Sequence, residues 1–380
     1  VSDVTLQRRG RAEISRSALL HNLSVVRAVA DGAKICAVVK ANAYGHGLTV
    51  VGPLLADAGV DYFGVALVDE ALELRNVGVR TPILVMGEAS PVELPDAIAH
   101  DVTVTIGSRE GALAAIAAAS AGPLRAHVKV DTGMYRQGLA LCDVEDVLRL
   151  LQGSGVEVEG IFTHFPVADG DALDDHDFTS AQRDAFAALN ERLASEGLLP
   201  SLTHIANSAG VLGAQQGQTH MIRPGLALYG YVPAPWLAAA LEEQELHLER
   251  VLTLRAGITA VRRVAAGERP SYGRRRALAT ETTIVTVPFG YADGFARSLF
   301  DAGQDVLIHE QRCGLAGVVT MDQLIINVGD LDVALGDDVV LLGRQGDEVV
   351  DADEWARRRD TITWEVLCDI GARVARVVVE

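Results

Sequence analysis

The chain has 380 residues, of which 49% are hydrophobic, and a formal net charge of −18. This length exceeds one ordinary domain and predicts two, each with a sizeable core. The acidic balance argues against nucleic acid and anionic membranes as partners. The cysteines Cys36, Cys142, Cys313 and Cys368 form no Cys-x-x-Cys pair. They suggest neither a disulfide framework nor a zinc site, and no metal is expected. Val1 to Ile14 has no apolar signal core, and no apolar stretch is long enough to span a bilayer. A soluble, cytoplasmic protein is expected. The positive runs Arg8-Arg9, Arg262-Arg263, Arg274-Arg275-Arg276 and Arg357-Arg358-Arg359 read mostly as solvated faces.

In chain order, Leu19, Leu23, Val26 and Ala30 fall at helical spacing, with Gly32 as a stop. Strand-like apolar runs follow at Ile35–Val39, Tyr62–Leu67, Pro82–Met86, Val102–Ile106, Ala126–Val130, Val156–Thr163, Leu202–Ala206 and Met221–Tyr229. Between them lie helix-length segments. The Ala-rich stretch Gly111–Ala119 is one, and Thr179-Ser180-Ala181-Gln182 reads as a capping box for a helix to about Glu196. Eight strands alternating with helices imply a parallel sheet, because parallel strands need crossovers. Eight is also the number that closes a (β/α)8 barrel; an open doubly wound sheet is the rival. Residues 231–249 form a junction. Beyond it, β-like runs at Leu252–Val264, Thr283–Val287, Val306–His309, Gly317–Thr320, Leu324–Val328 and Val339–Leu342 predict a mostly antiparallel β-domain. A short helix around Trp364–Arg373 closes the chain. The expected domains are a barrel over 1–240 and a β-domain over 241–380.

Barrel enzymes place their chemistry at the C-terminal ends of strands. Here those ends carry Lys40, Asp131, His164, Asn207-Ser208 and Arg223. Lys40 ends an apolar strand, where an ammonium is costly unless it is paired or reactive. A desolvated lysine can form an imine with a carbonyl cofactor; a strand that simply ends in a surface lysine is the plain alternative. The loops Asn207-Ser208-Ala209-Gly210 and Arg223-Pro224-Gly225-Leu226 stand at the usual phosphate site of barrels. A reactive lysine beside a phosphate cradle suggests pyridoxal 5′-phosphate (PLP).

The chain resembles the bacterial alanine racemases. The strings that carry the resemblance are Ala37–Gly47, Lys129-Val130-Asp131-Thr132-Gly133-Met134, Thr163-His164-Phe165, Ala206-Asn207-Ser208-Ala209, Arg223-Pro224-Gly225, Ser271-Tyr272-Gly273, Gly290-Tyr291-Ala292-Asp293-Gly294 and Met321-Asp322-Gln323. They stand in family order over nearly the whole length. The resemblance implies a two-domain PLP enzyme that interconverts L- and D-alanine as a homodimer with shared active sites. Lys40 would hold the cofactor and act as one acid–base group, and Tyr272 from the partner subunit would be the other. Tyr44, Asn207, Ser208, Gly225, Leu226 and Trp364 would sit around the cofactor phosphate. His164 and Arg223 would form a network reaching the tyrosine, with Arg223 facing the pyridine nitrogen. Arg136 and the Met321 N–H would bind the substrate carboxylate. Tyr291 and Asp322 would line the entrance. Lys129 matches a lysine that is carbamylated in some members; a Lys129–Asp131 pairing inside the barrel is the alternative.

The chain departs from the family pattern in four places. Tyr135 stands where the family usually has Gly, Thr320 where it has Cys, Trp364 where it has Tyr, and Arg274-Arg275-Arg276 where it is less charged. By the resemblance, Thr320 and Trp364 would fall on the substrate wall. Racemisation of another amino acid such as serine, a PLP-fold decarboxylase and a non-catalytic PLP-binding protein are the alternatives.

Overall fold

The computed structural model describes residues 10–380; Arg8-Arg9 lies outside them. The described residues divide into two compact units. One, the barrel unit, comprises Ser17–Ala43 and Val51–Glu249. The other, the sheet unit, comprises the described residues up to Arg16, Tyr44–Val50 and Arg250–Glu380.

In the sheet unit the first described element is β1 (Arg11–Ser15), which sequence patterning did not mark. The barrel unit follows with β2 (Lys34–Val38), β3 (Tyr62–Val65), β4 (Ile83–Glu88), β5 (Thr103–Ile106), β6 (Leu124–Lys129), β7 (Val156–Phe162), β8 (Leu202–His204) and β9 (Met221–Ile222). These eight strands close into a barrel, β2 pairing in parallel with both β3 and β9. The (β/α)8 expectation holds and the open sheet is excluded. Ile35, Ala37, Val38, Phe63, Val65, Leu84, Val104, Ala126 and Val128 are all buried, as strands covered on both faces must be.

Several details differ from the expectation. Met221–Tyr229 is not one strand: β9 stops at Ile222, and Leu226–Tyr229 forms a 3-10 turn. Pro224 has no N–H to continue a ladder and Gly225 opens the turn. The helix expected to start at Thr179 runs from Leu173 to Ser195, with Asp174 and Asp175 in its first turn. Thr179 and Gln182 are therefore buried inside the helix, not at a cap.

The sheet unit continues with β10 (Leu252–Gly257), β11 (Ala260–Val264), β12 (Thr282–Val287), β13 (Asp305–Ile308), β14 (Gln311–Gly314), β15 (Leu324–Gly329), β16 (Asp338–Gln345), β17 (Glu348–Val350) and β18 (Ala375–Val379). The run Leu252–Val264 is split between two sheets. One is ordered β14-β13-β16-β10-β1-β18 with β17 beside β16, and the other β11-β12-β15. Pairing is antiparallel except for β1 with β18. Gly317–Thr320 is not a strand; a Cβ on Gly317 would meet Pro270 O at 2.7 Å, so this segment serves as the seat of the Pro270–Ser271 turn. The final helix is Thr363–Cys368.

Candidate active site

In the barrel unit, Lys40 stands two residues beyond the end of β2. The next residues, Ala41, Asn42, Ala43 and Tyr44, all have φ between 52° and 55°, a left-handed turn built without glycine. Such a conformation costs about 1–2 kcal/mol per residue, so surrounding structure must hold it. Two bonds within the barrel unit do so: Ala41 N–H donates to Glu70 Oε1 at 2.6 Å and Ala43 N–H to Val39 O at 2.7 Å. Of the four, Asn42 is the residue type that tolerates this geometry most readily.

Arg223 follows β9 and is 3% exposed. Its NH2 donates to Thr163 O (2.7 Å), Ile205 O (3.0 Å) and His164 Nδ1 (3.1 Å), and its NH1 to His204 Nδ1 (2.9 Å). No described carboxylate pairs with it. Burial draws its pKa down to about 10. Burial, then Arg223, Arg136, Lys129 and Lys40, hold His164 well below the usual histidine range. Burial, with Arg136, Arg223 and Lys40, draws Lys129 down to about 8. Lys129 Nζ donates to Gln137 Oε1 at 3.4 Å, and no described ion pair joins it to Asp131. Asp131 Oδ1 instead accepts from Gly133 N and Tyr135 N (2.8 and 3.1 Å), fixing the turn that carries exposed Arg136.

The seventh and eighth loops are tied to each other. Ser208 Oγ accepts from Gly225 N (2.9 Å) and Ala227 N (3.2 Å), which leaves its own hydrogen to donate. Asn207 caps the following short helix by accepting from Gly210 N at 3.0 Å. His204 and Gln182 were not foreseen. Gln182 donates to Thr132 Oγ1 (3.2 Å) and to His164 O (3.4 Å), bracing the His164 strand end. Burial and then Arg223 hold His204 neutral. Only its place after an apolar run, facing the barrel interior, hinted at it.

In the sheet unit, Tyr44 is buried, which pushes its phenol up. Its segment is pinned by Arg376, whose Nε and NH2 donate to Gly45 O at 3.0 and 2.7 Å. Gly45 has φ 78°, and a Cβ there would lie 1.9 Å from Leu367 O, so the segment admits only glycine. Trp364 is partly buried in the Thr363–Cys368 helix. Tyr272 is 74% exposed, on a short turn held by the Ser271 Oγ bond to Val318 O at 2.6 Å. Arg275 pairs with Asp301, and Arg276 lies over the Phe300 ring at 4.5 Å, so this basic run is anchored as well as solvated. Met321 and Tyr291 are exposed. Their loops are joined by Tyr291 N to Thr320 O (3.0 Å) and by Arg373, which pairs with Asp293 and Asp322. Thr320 Oγ1 spends its hydrogen on Gln323 O at 2.9 Å.

One described group of metal-ligating side chains, His21, His247 and Glu249, brings its ligand atoms within 4.8 Å of one another. His21 Nε2 is already bonded to His247 O at 2.9 Å.

Known proteins match this arrangement. Residues 14–233 match the family described as "Alanine racemase, N-terminal domain", and residues 251–378 match "Alanine racemase, C-terminal domain". The alanine racemase of Symbiobacterium thermophilum is 38% identical over 369 residues, covering 96% of each chain. The alanine racemase structure of Clostridium difficile 630 superposes with a TM-score of 0.90 at 33% identity, covering 98% of this chain and 96% of that one. An alanine racemase from Bacillus anthracis, solved with bound L-Ala-P, gives 0.89 at 33% identity, covering 98% and 95%. The chain belongs to the alanine racemase family.

Proposed function

We propose that this chain is a PLP-dependent isomerase that interconverts L-alanine and D-alanine as a homodimer with shared active sites. The observation that carries this reading is the grouping of four cationic side chains, Arg223, Arg136, Lys129 and Lys40, about buried His164 at the strand ends, with Arg223 NH2 bonded to its Nδ1 at 3.1 Å.

The donor set fits PLP. Lys40 offers an amine for the aldehyde. The Ser208 hydroxyl, the Gly225–Leu226 loop, Tyr44 and Trp364 would surround the phosphate, with Asn207 fixing the loop. Arg223 has only hydrogens to give, so a ring nitrogen held by it would have to accept and stay unprotonated. When bound, PLP draws electrons from the substrate's Cα–H bond into its ring and makes that proton acidic.

The chain's own groups then move the proton. Lys40 Nζ works on one face of the substrate, and the phenol oxygen of Tyr272 of the partner subunit on the other. Two opposed groups need no swing across the cofactor plane. The high exposure of Tyr272 on its own chain supports its service to another. Arg136 and the N–H of Met321 of the partner subunit would hold the substrate carboxylate. Tyr291 and Asp322 would flank the entrance. D-alanine supply in the cytoplasm is the role that fits this activity. No described helix is long and apolar enough to cross a membrane.

Thr320 and Trp364 sustain a second reading, the same chemistry on serine. A decarboxylase is disfavoured because Arg223 weakens the electron sink that such a reaction exploits. A non-catalytic PLP carrier would have no use for Tyr272. Borohydride reduction with peptide mapping should find the cofactor on Lys40, and a panel of L-amino acids with chiral analysis should turn over alanine fastest. Label on another lysine contradicts the site, and serine outrunning alanine selects the second reading.

A further inference from the structure

From Arg223 a line of polar side chains runs through the barrel, and the reaction above leaves its other members unused. Arg223 NH1 donates to His204 Nδ1 at 2.9 Å. His204 Nε2 lies 2.8 Å from His127 Nδ1. His127 Nε2 faces Glu159 Oε2 at 3.9 Å. Glu159 is held in turn by Tyr62 OH (3.2 Å), Thr103 Oγ1 (3.4 Å) and Arg125 NH1 (3.6 Å). His127 and His204 are fully buried, and Glu159 retains 17% side-chain exposure, so the line runs from a buried cation toward solvent.

Donor and acceptor rules fix the protons along it. A guanidinium only donates, so His204 Nδ1 accepts and the imidazole proton sits on Nε2. That N–H donates to His127 Nδ1, which puts the His127 proton on Nε2, toward Glu159. Glu159, 3.9 Å away and beyond hydrogen-bond distance, presents an acceptor on the side to which this arrangement turns the proton. Arg223 thus prescribes one tautomer for both rings, and the Glu159 carboxylate lies where that tautomer directs the last proton. Burial, before any nearby charge, keeps His127 neutral by drawing it down to about 3.

The packing is built for this line. The Phe162 ring stacks on His204 (4.7 Å, 8°) and lies 5.2 Å from the Arg223 guanidinium. A Cβ on Gly160 would stand 2.6 Å from His127 Nδ1, so the residue after Glu159 must be glycine for the ring to fit. His127 Nε2 is buried with no hydrogen-bond partner among the described residues, a costly state that calls for a reason. The facing carboxylate supplies one.

We propose that His127 and Glu159 are positioning residues for Arg223, forming a relay Arg223–His204–His127–Glu159 that fixes the guanidinium's aim at the cofactor's ring nitrogen. The proposal rests on the reading of Arg223 as the residue facing that nitrogen. Weakening the relay loosens Arg223, lets the ring nitrogen gain a proton and favours side transamination. In that reaction alanine and water yield pyruvate while the amino group stays on the cofactor.

The test uses holoenzyme with 15N-labelled histidine and its Glu159→Gln, Glu159→Leu, His127→Phe and Arg223→Glu variants. Wild type should show two buried histidines as neutral Nε2–H tautomers, and Glu159→Gln, whose amide can donate to His127 Nε2, should disturb both. Pyruvate released per racemisation turnover should rise about threefold or more in the Glu159 and His127 variants, as for loss of a buried hydrogen-bond partner, with KM little changed. Glu159→Gln keeps the side-chain shape and guards against a folding failure. Wild-type Nδ1–H tautomers, or Glu159 variants with wild-type spectra and pyruvate ratio, overturn the relay. If Arg223→Glu itself leaves the ratio unchanged, the reading of Arg223 fails and the relay's purpose falls with it.

Discussion

Arg223 NH2 donates to His164 Nδ1 at 3.1 Å, and the guanidinium has no acceptor to offer in return. His164 therefore carries its proton on Nε2 and presents a neutral N–H donor. A donor suits a phenolate, the form in which a tyrosine acts as a base. His164→Phe should lower kcat/KM about tenfold, the worth of one hydrogen bond to a charged group. The loss must be equal for L- and D-alanine, because the enantiomers have the same free energy in solution. Unchanged kcat/KM would sever His164 from the chemistry.

Stability should fall in acid through the buried histidines. Burial lowers His127, His164 and His204 in the folded chain, while unfolded histidines titrate near 6.5. Below about pH 6.5 the unfolded state therefore binds more protons than the folded one, and each histidine costs up to about 1.4 kcal/mol per pH unit. The stability is present at neutral pH and is lost as pH falls, for His127 down to about 3. Urea unfolding from pH 7.5 to 5 should show this slope, and His127→Gln should reduce it by one proton.

Tyr135 has φ 54° and is 90% exposed. The left-handed region explains why glycine is usual at this position in the family. Tyr135→Gly should stabilise the chain by about 0.5–1 kcal/mol, the strain relieved less glycine's greater chain entropy. A lower urea midpoint would show that the exposed ring makes a favourable contact in the assembled protein.

Lys129 is suited to carbamylation because its pKa is drawn down to about 8 and cations surround it. The neutral amine adds carbon dioxide and releases a proton, and the carbamate gains the attraction of Arg136. With 13C-bicarbonate, one carbamate resonance should grow as pH rises from 7 through about 8 and vanish in Lys129→Met. Absence of the signal leaves Lys129 as an amine bonded to Gln137.

The barrel was legible because most of its strands carry a short apolar run that is buried along most of its length. β1 was not: Arg11–Ser15 buries only Ala12 and Ile14, too short an alternation to stand out. The Leu252–Val264 run concealed a change of sheet, since two consecutive strands carry one pattern. The helix from Leu173 begins with Asp174 and Asp175, and Thr179 imitates a cap that the chain does not use. The mouth residues were legible from their strand ends and from family strings. His204 and Gln182 were not, because their partners, Arg223 and Thr132, come close only when the barrel closes.

The division of labour between Lys40 and Tyr272 is tested most directly by mixing two inactive proteins. Lys40→Arg and Tyr272→Phe homodimers would be dissociated, mixed and reassociated. In the mixed dimer each chain supplies what the other lacks. One site then holds both the native lysine and the native tyrosine, and its companion site holds neither. Random reassociation should recover about a quarter of wild-type activity, as half the dimers carry one working site of two. Recovery of no activity from dimers shown to be mixed would mean that Lys40 and Tyr272 act within one chain.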